Sequence, residues 1–310
     1  MVSVATPQRA PDRRAGRVAP ALERPGVVWA IPGLAFFLVF AIVPMVGIGY
    51  LSFTRWDGLS APQFAGFENW SRFVHDGEML QSTLVTGILL LGNVVVQLPI
   101  SLLLGVWSAG YQRNRAVLSA IFFLPLLFST AATAIMWRQL LDPNFGIPSQ
   151  LSTLLGGHTD LFGSRTGAIG CLVAVTSWQF IPFHTLLYQG AARTIPLSLY
   201  QAAAIDGAGR VRQFRHITLP HLRNTIITTT TFMVVGGLTA FDIVLLLTNG
   251  GPGTDTAIMP FKMYQTAFRI YDYGYASAIA TFLLLLATAA SLVLVKVSGY
   301  DKMSSTLEGM

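Results

Sequence analysis

Six largely apolar runs, 27–53, 83–109, 116–137, 166–189, 224–248 and 275–297, dominate this chain of 310 residues, and each is long enough to cross a membrane as a helix. A hydrocarbon layer about 30 Å thick takes roughly 20 residues at the rise of an α-helix. Inside that layer backbone N–H and C=O groups have only each other as partners, which excludes open sheets and lipid-exposed loops. The pattern therefore predicts an all-α polytopic membrane protein with six transmembrane helices, its membrane domain covering 27–298. Prolines fall inside the runs at Pro32, Pro44, Pro99, Pro125 and Pro182. Kinks are expected there, because neighbouring helices can satisfy the backbone groups that a proline frees.

Charge agrees with this reading and orients it. Charged residues make up 11% of the chain and apolar ones 53%, against about 25% charged for a soluble domain. Of 20 Lys and Arg, the 1–26 segment carries five, the 110–115 loop two, and the loop between the fourth and fifth runs carries Arg193, Arg210, Arg212, Arg215 and Arg223. Two more, Lys296 and Lys302, lie at the C-terminal end. The alternate loops hold only Arg55, Arg72, Arg138, Arg165, Lys262 and Arg269. Positive charge concentrates on the cytoplasmic side of membrane proteins, so both termini are expected inside. Cations scattered over short loops fit topology, not nucleic acid. The first 26 residues, with Pro7, Pro11, Pro20, Pro25 and five arginines, read as a disordered cytoplasmic tail, and 299–310 as a short one. A cleavable secretory signal would need a shorter apolar core and a small-residue cleavage site, and neither is evident.

Catalytic signatures are missing from the sequence. There is no G-x-x-x-x-G-K-[ST] phosphate loop, and none of Lys262, Lys296 and Lys302 follows a glycine. His75, His158, His184, His216 and His221 are too scattered to suggest a metal site, and the single Cys171 allows neither an intrachain disulfide nor a cysteine-built one. His184 reads as a packed or interfacial histidine. Neither cofactor nor metal is expected on this chain, and any ATP-driven step must use a separate polypeptide.

The most informative loop lies between the fourth and fifth runs: Tyr200-Gln201-Ala202-Ala203-Ala204-Ile205-Asp206-Gly207-Ala208, continuing to Phe214, Ile217, Thr218, Leu219 and Pro220. Its helix formers predict a short helix over 199–204, a left-handed turn at Gly207 and a second helix over 208–217. The loop resembles the cytoplasmic signature of integral-membrane permeases of bacterial ABC importers: Glu-Ala-Ala, three residues, Gly, nine residues, then Ile-x-Leu-Pro. Ala202, Ala203, Gly207, Ile217, Leu219 and Pro220 match in register; Gln201 stands where the family usually has Glu, which puts an ionic contact in doubt. The resemblance implies that Gln201, Ala202, Ala203, Asp206, Gly207, Ala208, Ile217, Leu219 and Pro220, within a loop over 193–223, couple this chain to a partner ATPase.

A second stretch narrows the subfamily. Phe241-Asp242-Ile243-Val244-Leu245-Leu246-Leu247-Thr248-Asn249-Gly250-Gly251-Pro252, with Tyr264, Ala267 and Phe268 beyond and the run from Tyr273 to Ala280, resembles carbohydrate-type permeases of the maltose and glycerol-3-phosphate group. Earlier in the chain the likeness rests mainly on span number and Phe123-Leu124-Pro125. The resemblance implies a second, related permease subunit, two ATP-binding subunits, an extracytoplasmic sugar-binding protein and a bacterial plasma membrane setting in lipid.

Polar residues within apolar runs mark where a solute would pass, since groups unsatisfied in hydrocarbon usually face a bundle interior. Asp242 is the only carboxylate within a run, with Thr239 one turn before it. Asn93 and Gln97 lie one turn apart on the second run, Ser129, Thr130 and Thr133 share much of a face of the third, and Trp178 and Gln179 sit midway along the fourth. Aromatic faces beside amides and a carboxylate suit a sugar; hydrogen bonding between helices is the plainer use of such residues. With the family pocket implied on the third to fifth runs, Ser129, Trp178, Gln179, Thr239 and Asp242 are the expected substrate-pathway residues. Two other classes compete. A self-sufficient secondary transporter or channel would usually show internal repeats and an ion site. An intramembrane enzyme would need a nucleophile, base or metal constellation. Neither feature is found.

Overall fold

A computed structural model describes residues 27–110, 121–150 and 160–298. The expected tails at 1–26 and 299–310, most of the 110–115 loop, the start of the third run and His158 lie outside the described residues. The chain divides into two units, Met1–Val46 and Gly47–Met310, the division falling within the first long helix, α1 (Val28–Leu51). In the first unit no side chain from Trp29 to Val46 is buried, and Phe36 and Phe40 pack ring on ring at 4.7 Å.

The second unit begins with a short ribbon, β1 (Thr54–Arg55) antiparallel to β2 (Gln63–Phe64), in the register Thr54 to Phe64 and Arg55 to Gln63. Asp57 shapes the turn between them. Its carboxylate accepts from the backbone N–H and hydroxyl of Ser60 and the N–H of Leu59, and these bonds pull its pKa down to about 2. Helix α2 (Glu68–His75) follows, then α3 (Gly77–Ala109), whose first turn is capped by the Asp76 carboxylate accepting from Glu78 and Met79. Helix α4 covers Thr130–Leu140 and α5 Arg165–Arg193, the latter capped by Ser164. Helices α6 (Leu197–Ile205) and α7 (from Arg210, through a wide turn at Phe214–Thr218, to His221) form a hairpin. Then come α8 (Arg223–Leu238), α9 (Phe241–Leu247), α10 (Met259–Phe268) and α11 (Tyr273–Ser298).

Four of these helices, α1, α3, α5 and α11, are unbroken and long and apolar enough to cross a membrane. Six crossings result if each of two bent pairs counts as one. The expected spans at 116–137 and 224–248 are both broken, the first more sharply than the kink expected at Pro125 and the second with no proline in it. The chain turns by 110° between Ile121–Leu127 and α4, and by 49° between α8 and α9. The first break follows Pro125: Phe128 and Ser129 are extended, and the Ser129 hydroxyl restarts the helix by accepting from the N–H of Ala132. At the second, Thr239 turns its hydroxyl back onto the carbonyls of Val235 and Gly236, and Ala240 leaves helical geometry.

Small residues set the closest packing. At Gly105 on α3 an added Cβ would lie 2.4 Å from the Cβ of Tyr188 on α5, so only glycine allows this approach. Around it Leu102, Tyr188, Ile195 and Leu222 form a buried cluster beneath the hairpin. The opposite end is tied across long sequence distances. Tyr275 donates to Asp76, Arg72 meets Asp272 at 2.7 Å and lies over the Tyr275 ring, and Lys262 pairs with Glu78. There the amide of Asn69 donates to the carbonyls of Ser52 and Thr54, anchoring the ribbon to α2.

Candidate solute cavity and coupling hairpin

Both helix breaks open onto one cavity of about 360 Å³. Leu126 and Thr130 come to its wall from the first break, and Gly236, Gly237, Thr239, Ala240, Phe241, Asp242 and Ile243 from the second. Helix α3 adds Asn93 and Gln97; α5 adds Thr176, Phe180, Phe183 and His184; α8 adds Phe232 and Met233. The wall thus alternates aromatic surface with hydroxyls, two amides, an imidazole and one carboxylate. Gln97 donates to the Asn93 side-chain oxygen at 3.1 Å, a bond allowed by their one-turn spacing, and both residues are nearly buried. Asp242 is exposed, in the first turn of α9.

Of the five expected pathway residues, Thr239 and Asp242 lie on this wall. Ser129 is next to it, capping α4 one residue before the lining Thr130. Trp178 and Gln179 are not brought there. Trp178 packs edge-on against Trp137 of α4 with ring centroids 5.5 Å apart, and Gln179, 3% exposed, donates to the carbonyl of Phe128 at 3.2 Å. Both serve the contact between α5 and the broken third run. Thr133 on α4 is buried. Phe180, Phe183, Phe232 and His184 escaped sequence reasoning. On α5 the lining residues Thr176, Phe180, Phe183 and His184 follow a 3–4 spacing, one face of a helix, and that spacing is the signal that could have found them.

The hairpin ends its first helix as expected, at Gly207 with φ +74°. The N–H of Gly207 bonds to the carbonyl of Ala204 and that of Ala208 to Ala203, the paired closure of a Schellman turn. This geometry sorts the signature residues by face. Gln201, Ala202, Asp206, Gly207 and Pro220 are exposed, whereas Ala203, Ala208, Ile217 and Leu219 are half-buried. Ile217 and Leu219 join Tyr200 and Phe214 in packing on the cluster of Leu102, Tyr188, Ile195 and Leu222. Tyr200 and Thr218 share a hydrogen bond at 2.9 Å. Outward, Ile205 and Val211 are 87% and 81% exposed. A hairpin rooted in a buried cluster, with apolar tips left bare, has the form of a protein-docking element.

A broken-helix cavity inside an apolar bundle and a rooted hairpin at one end define an integral-membrane transport component. The chain belongs to the family of binding-protein-dependent transport system inner membrane components, whose pattern covers residues 101–298. It is 32% identical over 269 residues to a probable ABC transporter permease protein of Pyrococcus horikoshii, covering 84% of this chain and 91% of that protein. It is 30% identical to the trehalose/maltose transport system permease protein of Thermococcus litoralis, over 89% of this chain and 94% of that one. Among solved structures, a chain of a bacterial alginate ABC transporter in complex with its alginate-pentasaccharide-bound periplasmic protein shares the fold, with a TM-score of 0.78 at 20% identity, over 90% of this chain and 95% of that one. The family comprises transport permeases and not enzymes.

Proposed function

We propose that this chain is one permease subunit of an ATP-driven carbohydrate importer, with 27–298 as its membrane domain. In this reading it pairs with a second, related permease, binds two ATPase subunits through the hairpin, and receives sugar from an extracytoplasmic binding protein. The observation that carries the proposal is the cavity: apolar aromatic surface beside spaced hydrogen-bonding groups matches the two faces of a sugar, its C–H patches and its hydroxyls. The sugar class draws further support from relatives whose names specify multiple sugars, trehalose and maltose, and diacetylchitobiose. Mechanistically, ATP binding closes the ATPase pair, the hairpin moves with it, and the cavity changes the side to which it opens. The driving energy is the difference in stability of the two states with nucleotide bound.

The test is co-purification of the chain with its partners, followed by ATP hydrolysis measured with maltose, trehalose and diacetylchitobiose in the presence of the binding protein. Stimulation by at least one sugar is expected; a complex that assembles and responds to none refutes the carbohydrate assignment. Orientation has its own check. In a Cys171→Ala background, cysteines replacing Asp76 and Asp255 should react with an impermeant thiol reagent added to sealed cells, and Arg210→Cys should not. Labelling of Arg210→Cys would place the hairpin outside and remove its role in docking an ATPase.

A further inference from the structure

Four histidines fall among the described residues, and three satisfy themselves in the same way. His75, His216 and His221 each donate from Nδ1 to the carbonyl four residues back, those of Ser71, Arg212 and Ile217, at 2.7, 3.0 and 2.7 Å. His184 has the same choice, the carbonyl of Phe180, and does not take it. Its Nδ1 is buried without a partner, although the residue is only 3% exposed. The ring sits edge-on to Phe183, with centroids 5.2 Å apart, and forms part of the cavity wall. A leucine or phenylalanine would fill such a position with no polar atom to satisfy. A buried polar atom without a partner requires an explanation; the ring lines the cavity but its Nδ1 is closed to it in this conformation, so that atom meets its partner in the state that holds solute.

We propose that His184 is a specificity-determining contact to the transported solute. In its neutral form an imidazole offers one donor and one acceptor, and so can bond a hydroxyl in either sense. Gln97, on the neighbouring helix α3, is oriented by Asn93 and supplies an amide on the same wall. Asp242 supplies a charged acceptor from α9. Three chemically different groups on three helices can discriminate among polyhydroxylated ligands by the direction of each hydroxyl, because a site built to bond a hydroxyl rejects a ligand that lacks it. This inference rests on reading the cavity as the sugar path.

The experiment compares wild type, His184→Leu and His184→Gln in the full reconstituted complex, with maltose, trehalose and diacetylchitobiose as probes at saturating binding protein. The readouts are sugar-stimulated transport and sugar-free basal ATP hydrolysis. His184→Leu should lower the stimulated rate by about tenfold or more with the basal rate intact, the scale of one lost hydroxyl hydrogen bond. His184→Gln, which keeps a donor and an acceptor, should recover much of that loss and change the rate ratio between two of the sugars by about threefold or more. If both variants match wild type in rate and ratio, the contact is overturned. Equal loss of basal and stimulated rates in both overturns it as well, because that is the signature of a structural role. Should His184→Leu not assemble, the ratio in His184→Gln decides: a shift supports the contact and an unaltered ratio refutes it. A wild-type complex that responds to none of the sugars refutes the carbohydrate reading and this inference with it.

Discussion

The hairpin end of α5 and its middle stretch, 176–185, are built to opposite standards. At the hairpin end polar groups are paired. The Tyr188 hydroxyl donates to Thr229, whose own hydroxyl donates to the carbonyls of Thr225 or Ile226; Gln189 donates to the Ser108 carbonyl at 3.0 Å; Tyr200 bonds Thr218; and Gln213 reaches the carbonyl of Ala208 at 2.9 Å. Nearer the cavity and the broken third run, the buried unpartnered side-chain atoms among the described residues gather: Thr133 Oγ1 and Trp137 Nε1 on α4, and Ser177 Oγ, Gln179 Oε1, His184 Nδ1 and Thr185 Oγ1 on α5. In hydrocarbon such vacancies are expensive. Paired polar groups hold one arrangement, while unpaired ones leave room for a second in which partners or solute supply what is missing. On the proposed function, the contrast gives rigidity to the hairpin that would dock the ATPase and adaptability to the cavity that would hold solute.

Breaking the rigid end should have the largest effect. Gly207 has φ +74°, and nothing lies within 4 Å of where its Cβ would be, so a substitution acts through the backbone alone. A β-branched residue in that conformation costs on the order of 1–3 kcal/mol. That is enough to open the Schellman closure and misdirect the chain from Ala208 onward relative to Gln201, Ala202 and Asp206 before the turn. Gly207→Val should reach the membrane at normal levels, yet transport should fall to background and ATP hydrolysis should no longer respond to sugar. Normal uptake by a well-expressed Gly207→Val protein would show that the hairpin is no lever and that the paired hydrogen bonds at this end serve stability alone.

Trp178→Ala ranks second and tests where the boundary between the two regions falls. Read from the sequence, Trp178 offers a stacking face for sugar; in the structure it packs on Trp137, away from the cavity wall. Its loss should therefore cost about 3 kcal/mol of stability, the low end for a large aromatic side chain because it is only half-buried. Sugar preference should not move. Thermal unfolding of the purified complex measures the first, and rate ratios among sugars the second. A changed preference at unchanged stability would return Trp178 to the pathway.

Trp178 also marks the limit of what the sequence can show here. An intramembrane carboxylate such as Asp242, or the Asn93–Gln97 pair, is legible because lipid excludes such groups from any face but an inner one. The turn at Gly207 is legible because helix formers run up to it and it can take positive φ. Which inner face Trp178 and Gln179 occupy depends on the rotation of α5 against α4, and that depends on the 110° turn before Ser129. Hydropathy averaged over twenty residues passes straight through such a turn. Helices α2 and α10 were missed for a related reason. Both are short, and α10 is buried through Met259, Pro260, Phe261, Thr266 and Ala267 without being long enough to cross. Its place is fixed by a contact no pattern foretells, the Met259 N–H on the Thr86 hydroxyl at 3.0 Å.

The smallest of these effects, and the most selective, should come from Asp242→Asn. The amide keeps the shape of the carboxylate, so α9 should pack as before through its buried Ile243, Val244 and Leu247. What changes is the acceptor. A hydrogen bond from a sugar hydroxyl to a charged group contributes about 1.5–3 kcal/mol and to a neutral one about 0.5–1.5, so the expected loss in sugar-stimulated transport is about tenfold, one factor of ten per 1.4 kcal/mol. Basal ATP hydrolysis and melting temperature should stay near wild type, since the exposed side chain forms no ion pair among the described residues. A drop in melting temperature with sugar dependence unchanged would instead make Asp242 a structural partner of another helix. The adaptable region would then be smaller than the cavity suggests, resting on His184, Gln97 and Asn93.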